Sequence, residues 1–302
     1  MKKTPYDIIT EKVIEMLEQG TIPWKRPWKV TNRQATSVAT KKGYRGMNWL
    51  LLNSIMVTEG YKRPEFLTYK KAAEMGGNVI KGQRGWPVTL WQWFDKKEGG
   101  KVVYGPNGKP QQIPFLRYYT VFNADQVEGI EWPELGDDKQ IDFTPLEHAQ
   151  VLIDEWEECP VIEHTGVRAC YSRQDDKVLM PEANTFKTSE AYYATLFHEL
   201  GHSTGHTDRL NREFGKRFGD KAYAYEELVA EMTSAFLCAE SGIVDDTLED
   251  TAAYIKSWIK KLKDDPKMVV TAAGAAQKSA DMILGTVPEY AANKDKQDEE
   301  AA

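Results

Sequence analysis

Residues 191–206 read AYYATLFHELGHSTGH, and no other stretch restricts the fold and chemistry of this chain so tightly. Tyr192, Leu196 and Leu200 recur at helical spacing with no proline among them, which predicts an amphipathic helix. His198 and His202 stand four residues apart on it, so both imidazoles leave one face about one turn apart. Two ring nitrogens so placed can share one tetrahedral metal ion. Glu199 borders the same face, where a carboxylate can take a proton from metal-bound water without being a ligand.

HExxH is the arrangement of zinc metallopeptidases, and it arises by chance in about 1% of chains of this length. Here three of the five histidines fall within nine residues, after an apolar turn that can seat the helix in a core. A catalytic zinc needs three protein ligands and an open position for water. Glu227 and Glu231 lie four apart on a second apolar helix, YEELVAEMTSAFLCAESG (225–242). One of them can ligate while the other accepts from the free nitrogen of a ligating histidine. Metallopeptidases with a glutamate ligand favour Glu227 as ligand and Glu231 behind it; the reverse stays open. Asp208 is another option through HExxHxxGxxD, and His206 another, although it sits far along the helix. The cofactor is Zn2+, or another divalent ion such as Mn2+. Tyr223 and Tyr225 are close enough in the chain to be considered as oxyanion partners.

At 302 residues the chain is long for one domain, and two fit its length better. Cys159, Cys170 and Cys238 are odd in number and lack a CxxC pair, which fits reduced core thiols of a cytoplasmic protein. At the N-terminus, Asp7, Glu11, Lys12 and Glu15 interrupt any apolar signal region. No apolar run is long enough to span a membrane. The net charge of −7 conceals an asymmetry: residues 1–130 carry 21 Lys and Arg against 11 Asp and Glu, and residues 131–302 carry 18 against 35. A basic first module suits an acidic polymer, and nucleic acid is the obvious one.

Residues 6–19 read as a helix capped by Thr4 and stopped by Gly20. In IPWKRPWK (22–29), Trp24 and Trp28 beside Lys25 and Arg26 either stack on bases while the cations meet phosphate, or pin an irregular loop to the core. Arg45 is a candidate phosphate or base contact. Residues 50–57 read as a helix that Asn48 could cap, and 67–77 as a short helix with Thr68 as cap. From residue 79 to 94 the period changes to two, giving a strand apolar on both faces. KGQRG before it offers Lys81 and Arg84 in a basic loop beside Trp91, a pairing common in platforms for single-stranded nucleic acid, although aromatic strands are more often simply core. A charged excursion (95–114) and a returning strand (117–127) complete the module.

The expected architecture is α+β in two domains. A small mixed domain (1–130) and a linker (131–143) precede a mainly helical domain with a small sheet (144–290), then a charged disordered tail (291–302). The second domain holds helices over 146–158, 225–242, 250–263 and 266–284, and a hairpin or edge strand within 161–179 that turns at 171–176.

The motifs YDIITEKVIEMLEQGTIPWKRPW, YRGMNWLLL, FLTYKKAAEMGG, VIKGQRG and YTVFNADQVEG together resemble the N-terminal domain of ArdC-type antirestriction proteins. The same domain resembles one found in some plasmid conjugation primases. YYATLFHELGHSTGH, YEELVAE and AAYIKSWIKKLKDDP are similar to the zincin-like metallopeptidase domain that accompanies it. The resemblance implies single-stranded DNA binding by the first domain and a zinc peptidase fold in the second. It also implies carriage by plasmids or phages, with protection of incoming DNA from host restriction. It carries His198, Glu199 and His202 as site residues, with Glu227 and Glu231 beside them.

Three functions are then open. The zinc domain cuts a protein met at transferring DNA; or it is structural and catalytically silent, and the protein protects by coating DNA; or the chain is a protease whose first domain recruits a protein partner through its aromatic face.

Overall fold

The computed structural model describes residues 3–25, 34–135, 144–165, 167–214, 221–244 and 252–286. They form two compact units, one of Met1–Val13 and Gln34–Leu135, the other of Ile14–Arg33 and Gly136–Ala302. Residues 14–25, expected in the first domain, therefore group with the second. Most of the expected linker (136–143) and all of the expected tail lie outside the described residues.

The chain opens with α1 (Pro5–Glu18), divided between the units. Thr4 caps it: its hydroxyl accepts from the Asp7 N–H at 3.2 Å while the Asp7 carboxylate accepts from the Thr4 N–H at 2.8 Å. The first unit continues with β1 (Thr36–Ser37), α2 (Gly46–Thr58), β2 (Glu65–Leu67), α3 (Tyr69–Glu74) and β3 (Asn78–Val79). It ends with β4 (Trp86–Asp95), β5 (Lys97–Glu98), β6 (Lys101–Val102), β7 (Gln112–Asn123) and β8 (Val127–Glu128). The main sheet runs β1-β2-β7-β4, parallel only between β1 and β2. α2 is apolar all round, and Leu50, Leu51, Leu52 and Ile55 are fully buried. Asn48 lies inside α2 and is not its cap. Its Oδ1 accepts the Thr89 N–H at 2.8 Å and its Nδ2 donates to the Thr89 carbonyl at 2.7 Å, which pins α2 to β4. Thr68 does cap α3, accepting from the Lys71 N–H. Gly85 admits no side chain: a Cβ there would stand 2.2 Å from Cγ2 of Thr120.

The second unit adds α4 (Pro145–Asp154), β9 (Val161–His164), β10 (Cys170–Ser172), β11 (Lys177–Met180), α5 (Ser189–Ser203), α6 (Lys221–Ser241), α7 (Ala252–Asp264) and α8 (Met268–Ile283). The three strands order as β10-β11-β9, with β10 and β11 an antiparallel hairpin. Arg209 ties this hairpin to the end of α5. Its guanidinium pairs with Asp176 in the hairpin turn, and its Nε donates to the Ser203 carbonyl at 2.8 Å. α6 is the buried axis, packed on α4, α5 and α8. Trp24 also belongs to this core. It is 1% exposed, meets Trp258 edge-on at 5.8 Å, and donates from Nε1 to the Tyr254 hydroxyl at 3.1 Å.

α5 and α6 touch through small residues. A Cβ on Gly201 would lie 3.1 Å from the Ala230 Cα and 3.2 Å from the Thr233 Cβ, neither of which can swing aside. Gly201→Ala should therefore lower stability by about 1–2 kcal/mol, overpacking outweighing the gain in helix propensity. Thermal unfolding of both proteins tests this, and an unchanged or raised midpoint would show that the two helices have room to part.

Candidate metal centre

α5 starts at Thr188, whose hydroxyl accepts the Ala191 N–H at 3.1 Å. That fixes the helix phase two turns before His198. The His198 and His202 rings stand 4.8 Å apart and nearly perpendicular, their Nε2 atoms 3.2 Å from each other. Glu227, on α6, brings one carboxylate oxygen within 3.8 Å of His198 Nε2 and the other within 3.7 Å of His202 Nε2. Donors about 2.1 Å from a tetrahedral ion lie roughly 3.4 Å apart, so this trio fits a zinc-sized cation. Among the described residues it is the one such cluster.

The charge states agree with that use. Burial, and then the charge of His202, push the His198 pKa down to about 3, leaving a neutral imidazole with a lone pair to give. Burial would also lower His202, but its hydrogen bond to Glu226 and the charges of Glu226, Glu227 and Glu199 outweigh it and raise its pKa. Glu199 is 8% exposed, and burial raises its pKa against the opposing charge of His202. The backbone N–H of Tyr171 on β10 faces its carboxylate. A carboxyl of raised pKa in a partly dry site is a stronger proton acceptor than a solvated one. Tyr223, one turn before Glu227, hydrogen-bonds to it; burial first and Glu227 second push its pKa up to about 12.

The carboxylate behind His202 is Glu226, not Glu231. Glu226 Oε1 lies 3.3 Å from His202 Nδ1. Arg212 grips Glu226 with two hydrogen bonds, Nε to Oε2 at 2.9 Å and Nη2 to Oε1 at 2.7 Å. The same guanidinium donates to the Gly201 carbonyl, Thr204 Oγ1 and Ser279 Oγ, all within 3.0 Å. It thereby fastens α5, α6 and α8 around the histidine. Glu231 lies one turn on, accepts from the Tyr254 hydroxyl at 2.6 Å, and is pushed up to about 8 by burial. It joins neither histidine as ligand nor as brace. Asp208 is 86% exposed in its side chain and pairs with His206 Nδ1 at 3.5 Å, so neither completes the cluster. Tyr225 donates to the Thr271 carbonyl at 3.2 Å and serves packing. Spacing alone missed Glu226 and Arg212; the available signal was the Glu226–Glu227 doublet, whose two members leave the helix about 100° apart.

The residues considered for nucleic acid are scattered. Trp24 is sealed in the second unit, where its ring cannot stack on a base, and Lys25 beside it is half-buried. Arg26 and Trp28 lie outside the described residues. Arg45 at the start of α2, and Lys81 and Arg84 in the loop before β4, are exposed in the first unit. Arg84 covers the Trp86 ring at 5.5 Å. Trp91, on β4, meets Tyr6 edge-on at 6.5 Å and is 46% exposed.

Comparison with known proteins follows the same two-part division. The model of the N-terminal domain of anti-restriction factor ArdC matches residues 3–122, and that of the zincin-like metallopeptidases matches residues 147–275. A DNA primase TraC of Escherichia coli is 36% identical over 296 residues, 94% of this chain, which spans only 20% of that primase's length. The uncharacterized protein y4eC of Sinorhizobium fredii is 36% identical over 292 residues, covering 93% of this chain and 92% of that protein. The crystal structure of the antirestriction ArdC protein from plasmid R388, metal-free, superposes with a TM-score of 0.70 at 35% identity, over 92% of this chain and 96% of that one. Its Mn(II)-bound form gives 0.70 at 34% identity, over 93% and 97%. With both domains present in order and such identity over nearly the whole of each chain, this protein belongs to the ArdC family of antirestriction proteins, with a zincin-like metallopeptidase domain following the ArdC N-terminal domain.

Proposed function

We propose that this chain is a metal-dependent peptidase coupled to a single-stranded-DNA-binding unit, and that it protects DNA entering a cell on a mobile element from restriction. The observation that carries the peptidase reading is the convergence of His198, His202 and Glu227 with Glu199 beside them. The basic balance of residues 1–130 and the exposed Arg45, Lys81 and Arg84 support the DNA-binding one.

His198, His202 and Glu227 would hold Zn2+ or another divalent ion such as Mn2+, which is bound in one structure of the plasmid R388 relative. Bound there, the ion would be a Lewis acid, the chemistry that acidifies water and polarises a peptide carbonyl. Glu199 would take the proton from that water and return it to the leaving amine. Tyr223, whose hydroxyl hydrogen-bonds Glu227, would have to turn from it to donate to oxygen that gains charge at the reacting carbon. The outer edge of β10, whose Tyr171 N–H faces Glu199, pairs with no strand among the described residues. An extended peptide adding there as a strand would pass the catalytic carboxylate. Glu226 and Arg212 hold the His202 ring in position.

Glu199→Gln should keep metal and DNA binding while cleavage falls by roughly two to four orders of magnitude. Transfer into a restricting host, with metal content and DNA binding checked in parallel, decides the matter. Full protection by this variant would make the metal domain a scaffold and leave protection to DNA coating. Glu226→Gln or Arg212→Met should weaken metal binding roughly 10–100-fold, measured by chelator competition; affinity equal to wild type would show that His202 orients itself. Metal affinity should also fall as pH drops through neutrality. His202 has a raised pKa without metal and must lose its proton to ligate, so protons compete with the ion across that range. A flat profile between about pH 6 and 8 would place the ion elsewhere.

A further inference from the structure

β4 and β7 pair without a break from Trp86↔Val121 to Asp95↔Gln112. Directly paired residues share a face, so one side carries Trp86, Val88, Leu90, Gln92 and Phe94 opposite Val121, Tyr119, Arg117, Phe115 and Ile113. The inner end of this face is core, with Trp86 2% exposed. Beyond Leu90 the apolar character continues and the covering protein does not: Phe94 is 45% and Phe115 55% exposed, and Leu90, Ile113 and Tyr119 are open beside them. A contiguous exposed apolar stretch of this kind marks a binding surface.

The setting indicates what binds. Phe94 and Phe115 meet edge to face at 6.2 Å, and the Arg117 guanidinium lies 5.5 Å from the Phe94 ring. Arg117 has no carboxylate partner among the described residues. The segment 81–117 that forms the ribbon and its flanking loops carries seven Lys and Arg against only Asp95 and Glu98, and Glu98 pairs with Lys96 at 2.8 Å. Same-face positions on one strand repeat every ~6.8 Å, a step that one nucleotide of an extended backbone can match. Flat rings in a cationic frame suit unpaired bases, whose π-faces a duplex hides. A protein partner would use the apolar area but has no need of the surrounding cations.

We propose that the outer half of this ribbon face, centred on Phe94, Phe115 and Arg117, is a stacking platform for the bases of single-stranded DNA. The proposal rests on the reading of the first unit as DNA-binding and moves the stacking residues away from Trp24. Trp91 points from the opposite face of β4 and packs on Tyr6.

The test is fluorescence anisotropy of a labelled oligothymidine with the full chain over a salt series, with duplex of the same length as control. Phe94→Leu with Phe115→Leu keeps most of the apolar area and removes the flat rings, and both sites are exposed, so folding should hold. Affinity should fall at least tenfold with an unchanged salt slope, and Arg117→Gln should lower that slope by roughly 0.7. Wild-type binding that both variants retain overturns the platform and leaves the DNA-binding reading standing. No wild-type binding at any salt overturns both. If the chain is instead a dimer in light scattering and replacing both rings with Ala makes it monomeric without changing DNA affinity, the face serves self-association and the platform is wrong.

Discussion

The close approach of α5 and α6 at Gly201 is the contact on which the metal centre depends. With only hydrogen at that position, the backbone of α6 comes near enough for Glu227 to reach both histidines from the neighbouring helix. The two histidines are set by the pitch of one helix, whereas the third donor is set by the spacing and rotation between two helices. Packed interiors do not adjust such spacing freely. Arg212 reinforces it, since a single guanidinium bonds the Gly201 carbonyl, Glu226 and Ser279 on three helices.

That distinction also explains what was legible in the sequence. His198, Glu199 and His202 could be placed because four-residue spacing on a helix is a property of the local backbone. The helices themselves were legible for the same reason, and Thr68 could be named as a cap. Which of Glu226, Glu227 and Glu231 faces His202 was not fixed locally, because it depends on how α6 is rotated against α5. Glu226 braces His202, and Glu231 turns to Tyr254. Asn48 shows the same limit. Its residue type suits a cap, but its partner, Thr89, is 41 positions away. Trp24 misled because an aromatic between cations has one composition and two uses, and only tertiary contacts separate them.

The two units satisfy opposite demands on polar and apolar groups. In the second, two buried groups at the metal centre are matched: Glu226 to Arg212, and His202 to a pair of carboxylates. Left unmatched in a dry interior, such charges would cost several kcal/mol each. In the first, large apolar side chains stand open along one ribbon, with Arg117 over the Phe94 ring among them. Internal matching gives a site that holds its geometry; surface mismatch gives one that still has binding capacity.

The place of Trp24 bears on how the protein can be made. The core of the second unit draws on residues 14–25 as well as on residues after 144, and Trp24 lies against Trp258. During synthesis this indole leaves the ribosome more than two hundred residues before its partner ring, and it must wait while the sheet of the first unit is translated in between. Exchange of the second unit between genes by recombination at its apparent boundary near residue 144 would leave the Trp258 and Tyr254 pocket without its plug. The two units can therefore be inherited together more readily than apart.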